Sequence, residues 1–243
     1  MPGPLTYRLG RLKNLFFSSI VAIIKNKTTT TNRRTALSSL SLIFSPFKGE
    51  ALIEWFMDLT ELWHKTGPLS PEDPYTPKGM LQKLHYHNFS LWHLEDEARR
   101  TDGTDADIAK IKRSIDKHNQ QRNDGVEQID VWIDNVLTTA GIKPGEEIEC
   151  NSEPPGLIMD RLSILCLKIF HMQEQTERKD LSKEEVDYCT LRGKILLEQR
   201  KDLAAALDAL FLDLRQAAKR HKVYRQFKLY NDPRFNPALY KNR

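Results

Sequence analysis

The chain has 243 residues, 40% of them hydrophobic and 29% charged, with a formal net charge of +4, a size and balance that suit one helical domain or one domain with a tail. The charge is uneven: residues 1–49 hold eight Lys or Arg and no acid, so the rest is net acidic, which argues against a nucleic-acid-binding domain. Three cysteines, Cys150, Cys166 and Cys189, are odd in number and widely spaced, which speaks against a disulfide framework or a zinc ribbon and fits a reducing, cytoplasmic compartment.

Residues 15–24, LFFSSIVAII, form an apolar stretch half the roughly 20 residues a membrane span needs. A basic lead before a short apolar run resembles a signal peptide, but KNKTTTTNRR follows without a small-residue cleavage pattern. The Ser/Thr and Arg richness also resembles an organellar transit peptide. Residues 1–46 are therefore expected to be a disordered, targeting or over-extended start, and any membrane attachment is expected through them alone. The domain is expected over 47–243.

From Gly49 the helical period dominates. Leu52, Phe56, Leu59 and Trp63 share one face of a first helix, ended by the Pro-rich TGPLSPEDPYTP. A second helix is expected from about Lys78 to Arg100, and TDGTDAD then breaks the chain and offers N-caps. A third is expected over Ala106–Thr139, roughly 50 Å long. A fourth, from Pro155 to Glu177, is apolar nearly all round and should be central. A fifth follows from Lys183 to about Arg220. No period-two strand pattern and no internal repeat appear. The expected fold is all-α, an antiparallel bundle of four long helices plus a shorter first one.

Several inward positions are not apolar. On a wheel of 100° per residue, Asn88 and Glu95 fall inside the apolar face of the second helix, with Arg99 at its border. In the third, the stripe Ile108, Ile111, Ile115 resumes only at Val126, Ile129, Ile133, Leu137. Asn119 and Arg122 fill the gap, and Asn123 and Asp130 stand at the margin. On the fourth, Asp160, Arg161, Lys168 and His171 group on one side. On the fifth, Arg200 interrupts the seam Leu196, Leu203, Leu207, Leu210, Leu214. An unpaired buried charge costs several kcal/mol, so these groups must meet each other, water or a ligand. Two outcomes are open: a buried ion-pair network of Glu95, Asp130 and Asp160 with Arg122, Arg161 and Arg200, or a polar chamber that holds a ligand.

The set suggests two chemistries. Carboxylates on facing helices, Glu95 with Glu127 and Asp130, suit Mg²⁺ or Mn²⁺ over a phosphate. This is similar to the acidic arrangement of the all-helical nucleoside-triphosphate pyrophosphohydrolases, except that position 98 is Ala98 where that family has a second Glu. Alternatively Asn88, Arg99, Asn119, Arg122, Asn123, Arg161, Lys168 and Arg200 would hold an anionic small molecule, Arg being suited to bidentate contact. Glu95, Asp130, Asp160 and His171 are the acid–base candidates. His85, His87 and His93 point to different faces and show no zinc spacing. No P-loop, G-x-S-x-G or dinucleotide fingerprint is present. The basic, aromatic KRHKVYRQFKLYNDP could bind RNA, but cations at a helix C-terminus explain it more simply.

Four blocks, LHYHNFSLWHLEDEARR, NQQRNDGVEQID, PPGLIMDRLSILCLKIFHM and YRQFKLYNDPRFNPALY, together resemble an uncharacterised bacterial all-helical family, a domain of unknown function, over about residues 50–240. The element PGxxxDRLSILxLKI is also similar to one in helical proteins encoded near glycosyltransferases of cell-envelope polysaccharide assembly. The resemblance implies a bacterial, glycan-related setting with glycosyltransferase-pathway proteins as partners. It supplies no catalytic residues. The expectation is an anionic ligand, a sugar phosphate or nucleotide, with hydrolysis or transfer at phosphate. The rival is a non-catalytic adaptor whose buried charges are structural.

Overall fold

The computed structural model describes residues 39–225, 227, 232 and 234–240. The expectations for residues 1–38 lie outside them. The chain is all-helical: α1 (Gly49–Thr66), α2 (Pro77–Glu97), α3 (Asp105–Thr139), α4 (Pro155–Glu177), α5 (Lys183–Gln216) and a short α6 (Pro237–Tyr240). Among the described residues there is no strand, only an isolated bridge between Cys150 and Arg220. No helix among them is long and apolar enough to cross a membrane.

Local signals set the helix ends. Thr76 caps α2, its hydroxyl accepting from Gly79 N–H, with Pro77 preset for the first turn. Capping boxes open α3 (Thr104 with Asp107) and α5 (Ser182 with Glu185). α5 stops earlier than its basic tail suggests, at Ala217, whose φ of 57° is left-handed. α4 lacks a local cap because Pro154 stands at that position. Asp130 of α3 caps it instead: the carboxylate accepts from Gly156 N–H at 2.7 Å. Only glycine permits this approach, since a Cβ at 156 would lie 2.8 Å from the Val126 carbonyl oxygen.

α4 packs against α1, α2, α3 and α5, which is the physical reason it is apolar nearly all round. α2 lies along α3, while α5 packs on α4 and α1. Ile129 and Ile133 (α3), Met159 and Leu162 (α4), Leu207 (α5) and Phe56 (α1) are buried in one cluster. Residues 39–46 differ from expectation. Leu40 and Phe44 are buried, and Phe44 packs with Phe47, Trp132 and Phe211. Leu40, Phe44 and Phe47 follow helical spacing, so the packed domain reaches back past residue 47.

Candidate functional site

A chain of buried polar groups joins three helices, α1, α2 and α4, and reaches toward α3. Thr60 (α1) donates to the Phe56 carbonyl, a bond within its own helix. Its oxygen is therefore free to accept from His85 Nε2 (α2) at 3.0 Å. That fixes the His85 tautomer, so Nδ1 accepts from the Ser163 hydroxyl (α4) at 2.8 Å. Ser163 in turn accepts from the Asn88 amide (α2), which also donates to Asp160 (α4), both at 2.9 Å. Every donor in this sequence has an acceptor, as burial demands. His85 is fully buried between Phe56 and Trp63, and burial pushes its pKa down to about 3.

The chain ends at Arg122 of α3. Its Nε lies 3.9 Å from the second Asp160 oxygen, too long for a hydrogen bond. That Nε is shielded from water and, among the described residues, has no hydrogen-bond partner. Burial raises the Asp160 pKa, and Arg122 and Asn88 pull it back down. Arg122 forms part of the wall of a cleft of about 350 Å³ between α2, α3 and α4. Asn88, Glu95 and Asp96 of α2, Arg99 in the turn that follows it and Asn119 of α3 share that wall, with Leu91, Trp92, Ile164 and Leu167 as its apolar part. Arg99 is exposed and paired with Glu95 at 3.0 Å.

The structure thus gathers Asn88, Glu95, Arg99, Asn119 and Arg122 around one opening, with Asp160 directly behind it. It separates the others. Arg161 turns outward to Glu153 at 2.7 Å, and with Lys168 it borders a groove between α4 and α5. Arg200 lies beside the buried Cys166 thiol, because α5 covers a different side of α4 from α2 and α3. Asn123, Glu127 and Asp130 line a recess of only about 10 Å³. Glu127 is ion-paired with Arg225, and Asp130 is occupied at the α4 N-terminus. Burial pushes the Asp130 pKa up to about 7, partly offset by the Gly156 hydrogen bond. Glu95, Glu127 and Asp130 therefore do not form a carboxylate cage for Mg²⁺ or Mn²⁺. Nor do the predicted acids and arginines form one sealed network.

His171 sits in an adjoining cavity of about 680 Å³ that shares Trp92 and Asp96 with the cleft. Its Nδ1 is 2.7 Å from Glu174. In the C-terminal stretch Arg220 donates from Nε to the Ile148 carbonyl and Arg225 pairs with Glu127, so part of its charge is used within the fold. The sequence pattern does not single out Thr60 or Ser163, and it shows His85 only as a histidine without zinc spacing. Ser163 and Thr60 carry no periodic signal, since small hydroxyl residues are tolerated on any helix face.

A comparison with curated proteins and with solved structures finds no match to the chain. A family model matches residues 78–223, which span α2 to α5 and include every residue of the cleft wall. The chain therefore belongs to the family described as protein of unknown function, DUF4254.

Proposed function

We propose that the cleft binds an anionic, hydroxyl-bearing small molecule of the sugar-phosphate class. The observation that carries the reading is the Arg122 guanidinium: Arg122 lines the cleft, and its Nε lies 3.9 Å from its nearest carboxylate and, among the described residues, has no hydrogen-bond partner. A charged group whose carboxylate stands beyond hydrogen-bond distance is incompletely compensated, and a phosphate in the cleft would pair with the guanidinium. Asn119 and Arg99 stand beside it as further donors. Glu95 and Asp96 accept from hydroxyls, and Trp92 offers a face for a sugar ring. The Asp160–Asn88–Ser163–His85–Thr60 chain holds this wall rigid, so Asp160 positions Arg122. Of the acid–base candidates only Glu95 lines the cleft itself, so any phosphate hydrolysis or transfer would rest on that carboxylate. We place the protein in the cytoplasm, where three free cysteines are stable. The glycan setting implied by the sequence blocks belongs to the same proposal.

A second reading has its own observation. The hydrogen-bond chain is complete from Asn88 to the Phe56 carbonyl without any ligand, as expected of an adaptor whose polar core fixes helix register. A thermal-shift panel of hexose phosphates, nucleotides, sugar nucleotides and divalent metals separates the two. A ligand at a hundred times its Kd adds about 2.7 kcal/mol, or roughly 5–10 °C in a domain of this size. Arg122→Met should abolish the shift while melting close to wild type without ligand. No shift from any phosphate compound, or an undiminished shift in Arg122→Met, overturns the binding reading.

A further inference from the structure

We propose that His64, His93 and His171 form a binding site for one divalent transition-metal ion of the zinc class. The three come from α1, α2 and α4, and their rings sit 5.0–5.5 Å apart, centre to centre. One ring nitrogen from each lies within 4.8 Å of the others. All three Nε2 atoms are shielded from water and, among the described residues, have no hydrogen-bond partner.

The other ring nitrogens show why Nε2 is the ligating atom. His64 Nδ1 is 2.7 Å from the Thr60 carbonyl, which can only accept, so Nδ1 carries the proton and Nε2 a lone pair. His171 Nδ1 is 2.7 Å from the Glu174 carboxylate, with the same consequence. Backbone carbonyl and carboxylate are the partners that metal-bound imidazoles use to fix their tautomer. Two buried acceptors therefore face one another. A proton on His93 Nε2 would satisfy only one of them, and the structure shows no such bond. A cation satisfies all three at once.

The rings are held in place before any ion arrives. Trp92 stacks on His171 at 4.6 Å and 5° between planes, and Phe170 stacks on His64 at 4.4 Å. Zinc–nitrogen bonds of about 2.0–2.1 Å place tetrahedral ligand atoms roughly 3.3 Å apart, so the nitrogens close inward slightly on binding. Imidazole donors favour Zn²⁺, Ni²⁺, Co²⁺ or Cu²⁺ over Mg²⁺ and Mn²⁺. Three protein ligands leave a fourth position for water or another donor. His171 also lines the cavity that shares Trp92 and Asp96 with the anion cleft. The inference does not depend on that cleft's ligand.

The test uses the full chain, stripped with a chelator and titrated with Zn²⁺ by calorimetry and with Co²⁺ by visible absorption. The expected result is one ion per chain. His93→Gln should lose it, and Glu174→Gln should weaken it roughly 10–100-fold. His118→Gln, which breaks the separate His87–His118 contact of 3.2 Å, should leave it unchanged. Far-ultraviolet circular dichroism confirms that each variant is folded. If His93→Gln does not fold, wild-type stoichiometry with Glu174→Gln decides. Failure of folded wild type to take up either ion overturns the proposal. So does binding that survives in His93→Gln, or that disappears in His118→Gln.

Discussion

Asp130→Asn tests whether burial or the helix N-terminus governs the carboxylate beneath α4. In the folded chain this carboxyl titrates near 7, raised by burial and partly offset by its bond from Gly156. An unfolded Asp titrates near 3.9, and each unit of difference is worth 1.36 kcal/mol. Between these values the unfolded chain has released a proton that the fold still holds, so stability falls as pH rises from about 4 to 7. At pH 8 the ionised carboxylate costs the fold up to about 4 kcal/mol, and at pH 5 about 1.5. The amide mimics the protonated acid: it still accepts from Gly156 and does not ionise. The stability of Asp130→Asn relative to wild type should therefore grow by about 2–3 kcal/mol between pH 5 and pH 8. Urea denaturation of both proteins at the two pH values reads this directly. A difference that stays flat, or wild type gaining over the variant at pH 8, would refute the reasoning. It would show that the α4 N-terminal dipole, with its preference for an anion, outweighs desolvation.

Other predictions follow from the same packing. His85 is held neutral with a pKa near 3, whereas an unfolded His takes a proton below about 6.5. Stability from this group is therefore present above pH 6.5 and lost on acidification. Wild type should lose about 2 kcal/mol relative to His85→Gln between pH 7 and pH 5. Gly156→Ala forces a Cβ to 2.8 Å from the Val126 carbonyl oxygen and should lower stability by about 1–3 kcal/mol. Gly125→Ala, inside α3, meets only a Leu84 methyl at 4.0 Å and should raise stability by about 0.5–1 kcal/mol in the same denaturation assay. Asn88→Leu leaves both Asp160 and Ser163 without a donor and should cost about 3 kcal/mol.

Much of this architecture is legible in the residue pattern, for identifiable reasons. Prolines at 154 and 155 and the polar run after Met172 fix the ends of α4. Its nearly all-round apolar surface, broken only on the side of Asp160, Arg161, Lys168 and His171, announces its central place. The cleft wall is legible because Asn88 and Glu95 stand seven apart on α2 and Arg99 follows four residues later, in the turn after it. Asn119 and Arg122, three apart, interrupt an otherwise apolar stripe on α3. Arg161, Lys168 and Arg200 are not legible in the same way. A wheel gives the direction in which a residue leaves its helix. It does not give the neighbouring helix it meets, and long cationic side chains reach outward from partly buried positions. The three-histidine cluster lies further from pattern reasoning. Its members stand on three helices with no mutual spacing, and only tertiary packing brings His64 against His93 and His171. Leu40 and Phe44 are hard to read as core because the stretch around them is Ser-rich, although their spacing is helical.

The central claim is that the Arg122 guanidinium, whose Nε has no hydrogen-bond partner among the described residues, holds an anionic ligand in the cleft. A nitrogen-edited proton spectrum of the arginine Nε–H groups reads that donor itself, with the Arg122 signal assigned by its absence in Arg122→Met. On titration with a hexose 1-phosphate, that signal should shift saturably, with the Arg161, Arg200 and Arg225 signals unmoved. A stationary Arg122 signal at saturating phosphate, or shifts spread over the exposed arginines alone, would contradict the account.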